Sequence, residues 1–228
     1  MAGMSWQSEL ADELSGRLSA DGEIVVVGSV TSSESLDGWS DLDVHVDLRG
    51  ASEPVDLLVG LDVWALSEVH SDRQQVVRAV LRDGRRVDLV VEGGTIVVPG
   101  TAVDNDVRFV AALAAAKLGR GDHLIGLHLT LDLLRTCLVH AMELRDRELG
   151  TTVHRHGSER DAMADDLVQI LQGPIGVTPR PNIVEQTVLA YARMRCELDR
   201  SYVADWSGLD AVLTRGLSPQ RDGSPDAA

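Results

Sequence analysis

Lysine is nearly missing from this chain. Of its 21 basic residues twenty are arginines and one, Lys117, is a lysine, set against 36 acidic residues and a formal net charge of −15. A protein that grips nucleic acid needs a basic field along the phosphates. This balance therefore excludes nucleic acid as the main partner and suits a cationic ligand better. Cysteine is scarce too. Cys137 and Cys196 both fall in apolar, helix-like stretches, which suits buried thiols in a reducing cytoplasm and not a disulfide framework. No uncharged run approaches the ~18–20 residues of a membrane span. The first residues, MAGMSWQSELADELSG, are acidic and polar, unlike a secretory leader. Neither a GxxxxGKS/T phosphate loop nor a GxGxxG fingerprint occurs. The expectation is a cytoplasmic protein, monomer or homodimer, with no membrane and no nucleic acid among its partners.

What is present divides at about residue 103. Before it, apolar residues alternate: EIVVVGS, LDVHVDL (42–48), VWALSEV (63–69), QQVVRAVLR (74–82), RRVDLVVEG (85–93) and TIVV all read as strands. Asp83-Gly84 signals a two-residue hairpin turn between the fourth and fifth of these. A helix is expected over 5–19, where Trp6, Leu10, Leu14 and Leu18 are spaced four apart, and a short one over 52–60. After residue 103 the period changes to 3.6, in VRFVAALAAAKLGRG, HLIGLHLTLDLLRTCLVHAMELRDRELG, a segment near 158–172 and IVEQTVLAYARMRCELDRSY. Glycines 119, 121 and 150 stand where helix C-termini are expected. The organisation predicted is α+β: a mixed-sheet domain with flanking helices (1–102), a C-terminal helical bundle (103–217) and a disordered tail (218–228). Hairpins in place of regular βαβ alternation argue against a doubly wound sheet.

Chemistry concentrates in the sheet half, which carries 18 acids and 7 bases in its first 100 residues. Gly28-Ser29 ends an apolar strand, and so small a pair lets backbone N–H groups and one hydroxyl close around phosphate oxygens. Asp41-Leu42-Asp43 opens the next strand with both carboxylates on one face, since i and i+2 of a strand share a side. Two such neighbours repel unless a cation neutralises them, and an all-oxygen donor set selects Mg²⁺ or Mn²⁺. A third carboxylate, Asp88, interrupts the apolar strand RRVDLVV; a two-residue turn would pair it with Ala79 and leave open space beside it.

Apolar strand, Gly-Ser, eleven residues, Asp-x-Asp and a later strand aspartate together resemble the nucleotidyltransferase superfamily that includes DNA polymerase beta. Within it the pattern resembles the small antibiotic nucleotidyltransferases. Ser40-Asp41-x-Asp43 matches the frequent Ser-Asp-x-Asp form, and LRDGRRVDLVV and VRFVAALAAAKLGRGDHLIGLHLTLDLLR resemble the hairpin and first helices of the aminoglycoside adenylyltransferases. The resemblance implies a Mg²⁺-dependent transfer of AMP from ATP to a hydroxyl of a small cationic molecule, an aminoglycoside above all, with release of pyrophosphate. It implies two Mg²⁺ with Asp41, Asp43 and Asp88 as the metal carboxylates, Asp88 either accepting the hydroxyl proton or holding the metal that acidifies it. Gly28, Ser29 and Ser40 would lie on the nucleotide, and Lys117 and Arg120 are candidates for its phosphates. Glu143, Asp146 and Glu148, near a helix C-terminus that disfavours acids, are candidates for a cationic substrate. The alternative is a protein of the same fold in a toxin–antitoxin or regulatory pair, which nucleotidylates a protein partner.

Overall fold

The computed structural model describes residues 5–18, 23–27, 37–48 and 51–218. Within these the chain divides into two compact units, one of residues 1–109 with 207–228 and one of 110–206.

The first unit is built on five strands: β1 (Glu23–Val27), β2 (Leu42–Asp47), β3 (Val63–His70), β4 (Gln74–Leu81) and β5 (Arg86–Glu92). Their order in the sheet is β1-β2-β5-β4-β3, with β2 and β5 parallel and every other pair antiparallel. One face is the core. Leu42, Val44 and Val46 of β2, Val77, Ala79 and Leu81 of β4, and Val87, Leu89 and Val91 of β5 bury there with Leu48, Leu57, Leu58 and Ile96. Helix α1 (Trp6–Arg17) adds Leu10, Ala11 and Leu14 to that cluster, and its first turn is capped by the Ser5 side chain, which accepts from the Ser8 N–H. The alternation that buries these positions sends Asp43 and His45 of β2, Asp88 of β5 and Arg78 of β4 to the opposite face.

The second half of this unit's construction comes from the far end of the sequence. Helix α6 (Ser207–Leu217) packs on the sheet unit, burying Leu209, Val212 and Leu213. Two glycines allow the approach: a Cβ at Gly208 would overlap the Trp64 ring, and one at Gly216 would overlap the Trp39 ring. Arg215 reaches the Asp83 carbonyl (3.1 Å) and sits 5.5 Å from the centre of the Trp6 ring. Residues 207–217 fell within the expected helical bundle (103–217); the close glycine–indole packing sets this helix with the sheet.

Three local expectations change. Residues 52–60 form turns, and TIVV supplies a single bridge, Ile96 to Val55, in place of a sixth strand. The β4–β5 hairpin has a three-residue loop, Arg82-Asp83-Gly84. Gly84 takes the left-handed conformation (φ 85°), and Leu81 N–H donates to Arg85 O (2.8 Å). Arg78, not Ala79, therefore stands opposite Asp88.

Helix α2 (Asn105–Gly119) starts in the first unit, where the Asn105 amide hydrogen-bonds both backbone groups of Leu66 on the edge strand β3 (2.9 and 2.8 Å). The second unit comprises the rest of α2, α3 (His123–Leu149), a short 3₁₀ turn (Glu159–Ala162), α4 (Met163–Ile170) and α5 (Ile183–Leu198). Gly121 (φ 79°) ends the α2 segment and Asp122 caps α3; the expected stop at Gly150 is a left-handed C-cap (φ 63°). By length and mean hydropathy (1.3 over its most apolar 18 residues) α3 could cross a membrane; its buried side, through Leu133, Leu134, Cys137, Ala141 and Leu144, is the side that packs with α5.

Candidate active site

The site begins with a turn. Asp37 Oδ1 accepts from the Trp39 N–H (3.0 Å) and from the Ser40 hydroxyl (2.8 Å), while the Ser40 oxygen accepts from the Asp37 N–H (3.1 Å). Ser40, expected on the nucleotide, is 2% exposed and spends its hydroxyl on this turn. The turn delivers Asp41 to the mouth of β2, two residues from Asp43 and on the same side of the sheet.

The parallel register of β2 with β5 then sets Asp43 directly opposite Asp88. Cross-strand neighbours in this position hold their Cβ atoms about 5 Å apart. Three carboxylates from three positions of the sequence thus gather on one face, at the place where a sheet built from apolar alternation would otherwise carry none. The energetic mark of this is on Asp88. Burial raises its pKa to about 6 from the ordinary 3.8, Asp41 and Asp43 push the same way, and Arg78 and Arg86 oppose them.

Those two arginines belong to the site and were not expected from the sequence. Arg78 Nε lies 3.1 Å from Asp88 Oδ2. Arg86, two residues before Asp88 on β5, lies 3.7 Å from Asp41 Oδ2 and donates from its other amino group to the Trp39 carbonyl. Arg86 could have been found from the i, i+2 rule alone. Arg78 was hidden by the assumed two-residue loop, which also gave Asp88 the open flank it lacks.

As donors, the three carboxylates fit a hard divalent cation, which prefers oxygen and needs the negative charge that raises Asp88. Among the described residues no three acidic, histidine or cysteine side chains stand assembled as a metal cage. Arg78 lies against Asp88 and Arg86 against Asp41. Asp41 and Asp43 would take the ion with Asp88.

Of the remaining expected residues, Gly28 and Ser29 lie outside the described residues. Lys117 and Arg120 lie in the second unit. Lys117, on the last turn of α2, has its Nζ 4.0 Å from Asp122 Oδ2, and Arg120 is exposed in the link to α3. Asp146 and Glu148, considered for a cationic substrate, are engaged within their own unit: Asp146 with His154 Nδ1 (2.8 Å), Glu148 with Arg160 Nε (3.1 Å).

No family model and no curated protein matches the chain. Among solved structures it is similar to a cytoplasmic RNA terminal U-transferase, at 17% identity over 56% of this chain and 38% of that one (TM-score 0.27). It is similar also to the polymerase core of TRAMP, an RNA surveillance complex, at 15% identity over 86% of this chain and 57% of that one (TM-score 0.25). The chain thus spans well under two thirds of the length of either. Likenesses this slight carry no argument about activity, and the reading that follows rests on the carboxylates.

Proposed function

We propose that the chain is a metal-dependent nucleotidyltransferase that moves AMP from ATP to a hydroxyl of a small cationic molecule of the aminoglycoside type. The observation that carries this reading is the strand register that sets Asp43 across from Asp88, with Asp41 two residues away on the same face.

Divalent metal, when bound by Asp41, Asp43 and Asp88, would neutralise the phosphates and stabilise charge on the leaving oxygen. The chain's own residues supply position and a proton acceptor. Asp88, which lies on the same face as Asp41 and Asp43, would receive the proton of the attacking hydroxyl. The acceptor oxygen forms a bond to the α-phosphorus as the bond from that phosphorus to the bridging oxygen breaks. The bonding pair leaves on pyrophosphate, and the hydroxyl proton passes to Asp88. Gly28 and Ser29 would close on the triphosphate. Arg86 fixes the turn before Asp41 through the Trp39 carbonyl, so it is a positioning residue. The net charge of −15 supports a polycationic acceptor, which such a surface attracts over long range.

Incubation with ATP, Mg²⁺ and a panel of aminoglycosides is expected to release pyrophosphate. Asp88→Asn should lower the rate at least ~100-fold, the usual reach of a general base. Release from none of the panel would overturn the acceptor class. Release undiminished in Asp88→Asn would overturn the role given to Asp88.

A further inference from the structure

Two arginines lie against the carboxylates, and they are built differently. Arg86 is 8% exposed, with one amino group committed to the Trp39 carbonyl and the other near Asp41. Its environment holds it still. The Arg78 side chain is 54% exposed; the three-residue loop puts it opposite Asp88, which it meets through an Nε–Oδ2 contact of 3.1 Å. Arg78 and a divalent cation compete for Asp88, because like charges repel and both are drawn to the same carboxylate oxygens. A cation bound at Oδ2 takes the oxygen that Arg78 now holds.

The side chain so released has a three-carbon tether rooted on the same face of the sheet. A planar guanidinium with five N–H donors matches a phosphate better than any other side chain does. We propose that Arg78 is a counter-ion that changes partners: it holds Asp88 while the site lacks metal, and passes to the phosphates of the nucleotide once metal takes Asp88. The inference rests on the carboxylates being the metal site, as in the function proposed above. It explains how an acidic unit holds a polyanion. Three negative carboxylates with two arginines on them leave little cationic charge to offer a triphosphate, whereas metal on the carboxylates returns Arg78 to the solvent side for that purpose.

The exchange predicts opposite changes in two affinities. Removing the charge of Arg78 frees Asp88 and strengthens binding of metal alone, while it weakens binding of a polyphosphate to the metal-loaded protein. An arginine that merely propped up the strand would weaken both. The test uses the full chain and two probes, Mn²⁺ followed by the electron paramagnetic resonance signal of the free ion, and pyrophosphate titrated at saturating Mn²⁺. Arg78→Met should bind Mn²⁺ about two- to fivefold tighter than wild type, the worth of a partly exposed ion pair. Its affinity for pyrophosphate should fall about tenfold, the worth of one charge-assisted phosphate contact. Arg78→Lys should stay near wild type on the first measurement and lie between the two on the second. Arg78→Gln serves in place of Met if that variant melts early. Mn²⁺ binding equal to or weaker than wild type in the Met and Gln variants, or unchanged pyrophosphate affinity, overturns the exchange while leaving the metal site intact. Mn²⁺ binding that does not respond to Asp88→Asn or Asp43→Asn overturns the metal site itself, and the exchange with it.

Discussion

Asp88 is an aspartate whose fold does not favour its charge. Its pKa rises to about 6 through burial first, then through Asp41 and Asp43, and only partly recovers through Arg78 and Arg86. Between the ordinary value of 3.8 and this one the folded chain holds a proton that the unfolded chain has released. Stability therefore falls as pH rises through that window, and the full cost of the ionised group is present above it. Asp88→Asn should make the metal-free protein more stable at about pH 8, by about 1–3 kcal/mol. The gain should vanish near pH 4, and urea unfolding at the two pH values measures it. A variant less stable than wild type at both would mean that its surroundings favour the carboxylate. The three acids were legible in the sequence because an aspartate inside RRVDLVV breaks an apolar pattern and needs a reason. The partner of the Ser40 hydroxyl was not legible, because a motif gives a residue's position but not which of its neighbours will take its hydroxyl; here that neighbour is Asp37.

At the scale of elements, the hairpin is where sequence reading slipped by one residue. Asp-Gly suggests a two-residue turn, but that turn would pair Val77 with Val90 and Leu81 with Arg86, setting core positions against solvent-side ones. A slip of one turns every side chain of a strand to the other face. The alternation Val77-Ala79-Leu81 against Val87-Leu89-Val91 already contained the answer, and a three-residue loop closed by Gly84 is the only one of the two that respects it. Helix α6 escaped reading for another reason: its apolar stripe is plain, but nothing local says which unit it will join. Its glycines decide that by admitting Trp39 and Trp64. Gly216→Ala should cost about 1–3 kcal/mol, as overpacking does. Since Trp39 leads directly into Ser40 and Asp41, the same change should depress transfer more than a loss of folded protein accounts for. Denaturant midpoints and specific activity of the folded fraction separate the two effects.

For the whole molecule, the sheet unit draws on both ends of the described chain and the helical unit is an insertion in it. The sequence boundary near residue 103 marks the change of period well, yet it misses the return, because periodicity reports local structure and not company. A chain truncated after Trp206 should therefore damage the sheet and spare the helices. It would uncover Trp39 and Trp64, and the carboxylate site should lose Mn²⁺ binding while helical circular dichroism falls by little more than the share of α6. Retained Mn²⁺ binding in that truncated chain would mean the sheet closes its site without α6. The insertion also has a consequence for the order of events during synthesis. The strands bearing Asp41, Asp43 and Asp88 leave the ribosome more than a hundred residues ahead of Gly208 and Gly216. At about 5–20 residues per second those strands wait several seconds for α6 to be made. The site acquires its backing last, so a nascent chain carries its acids long before it can use them.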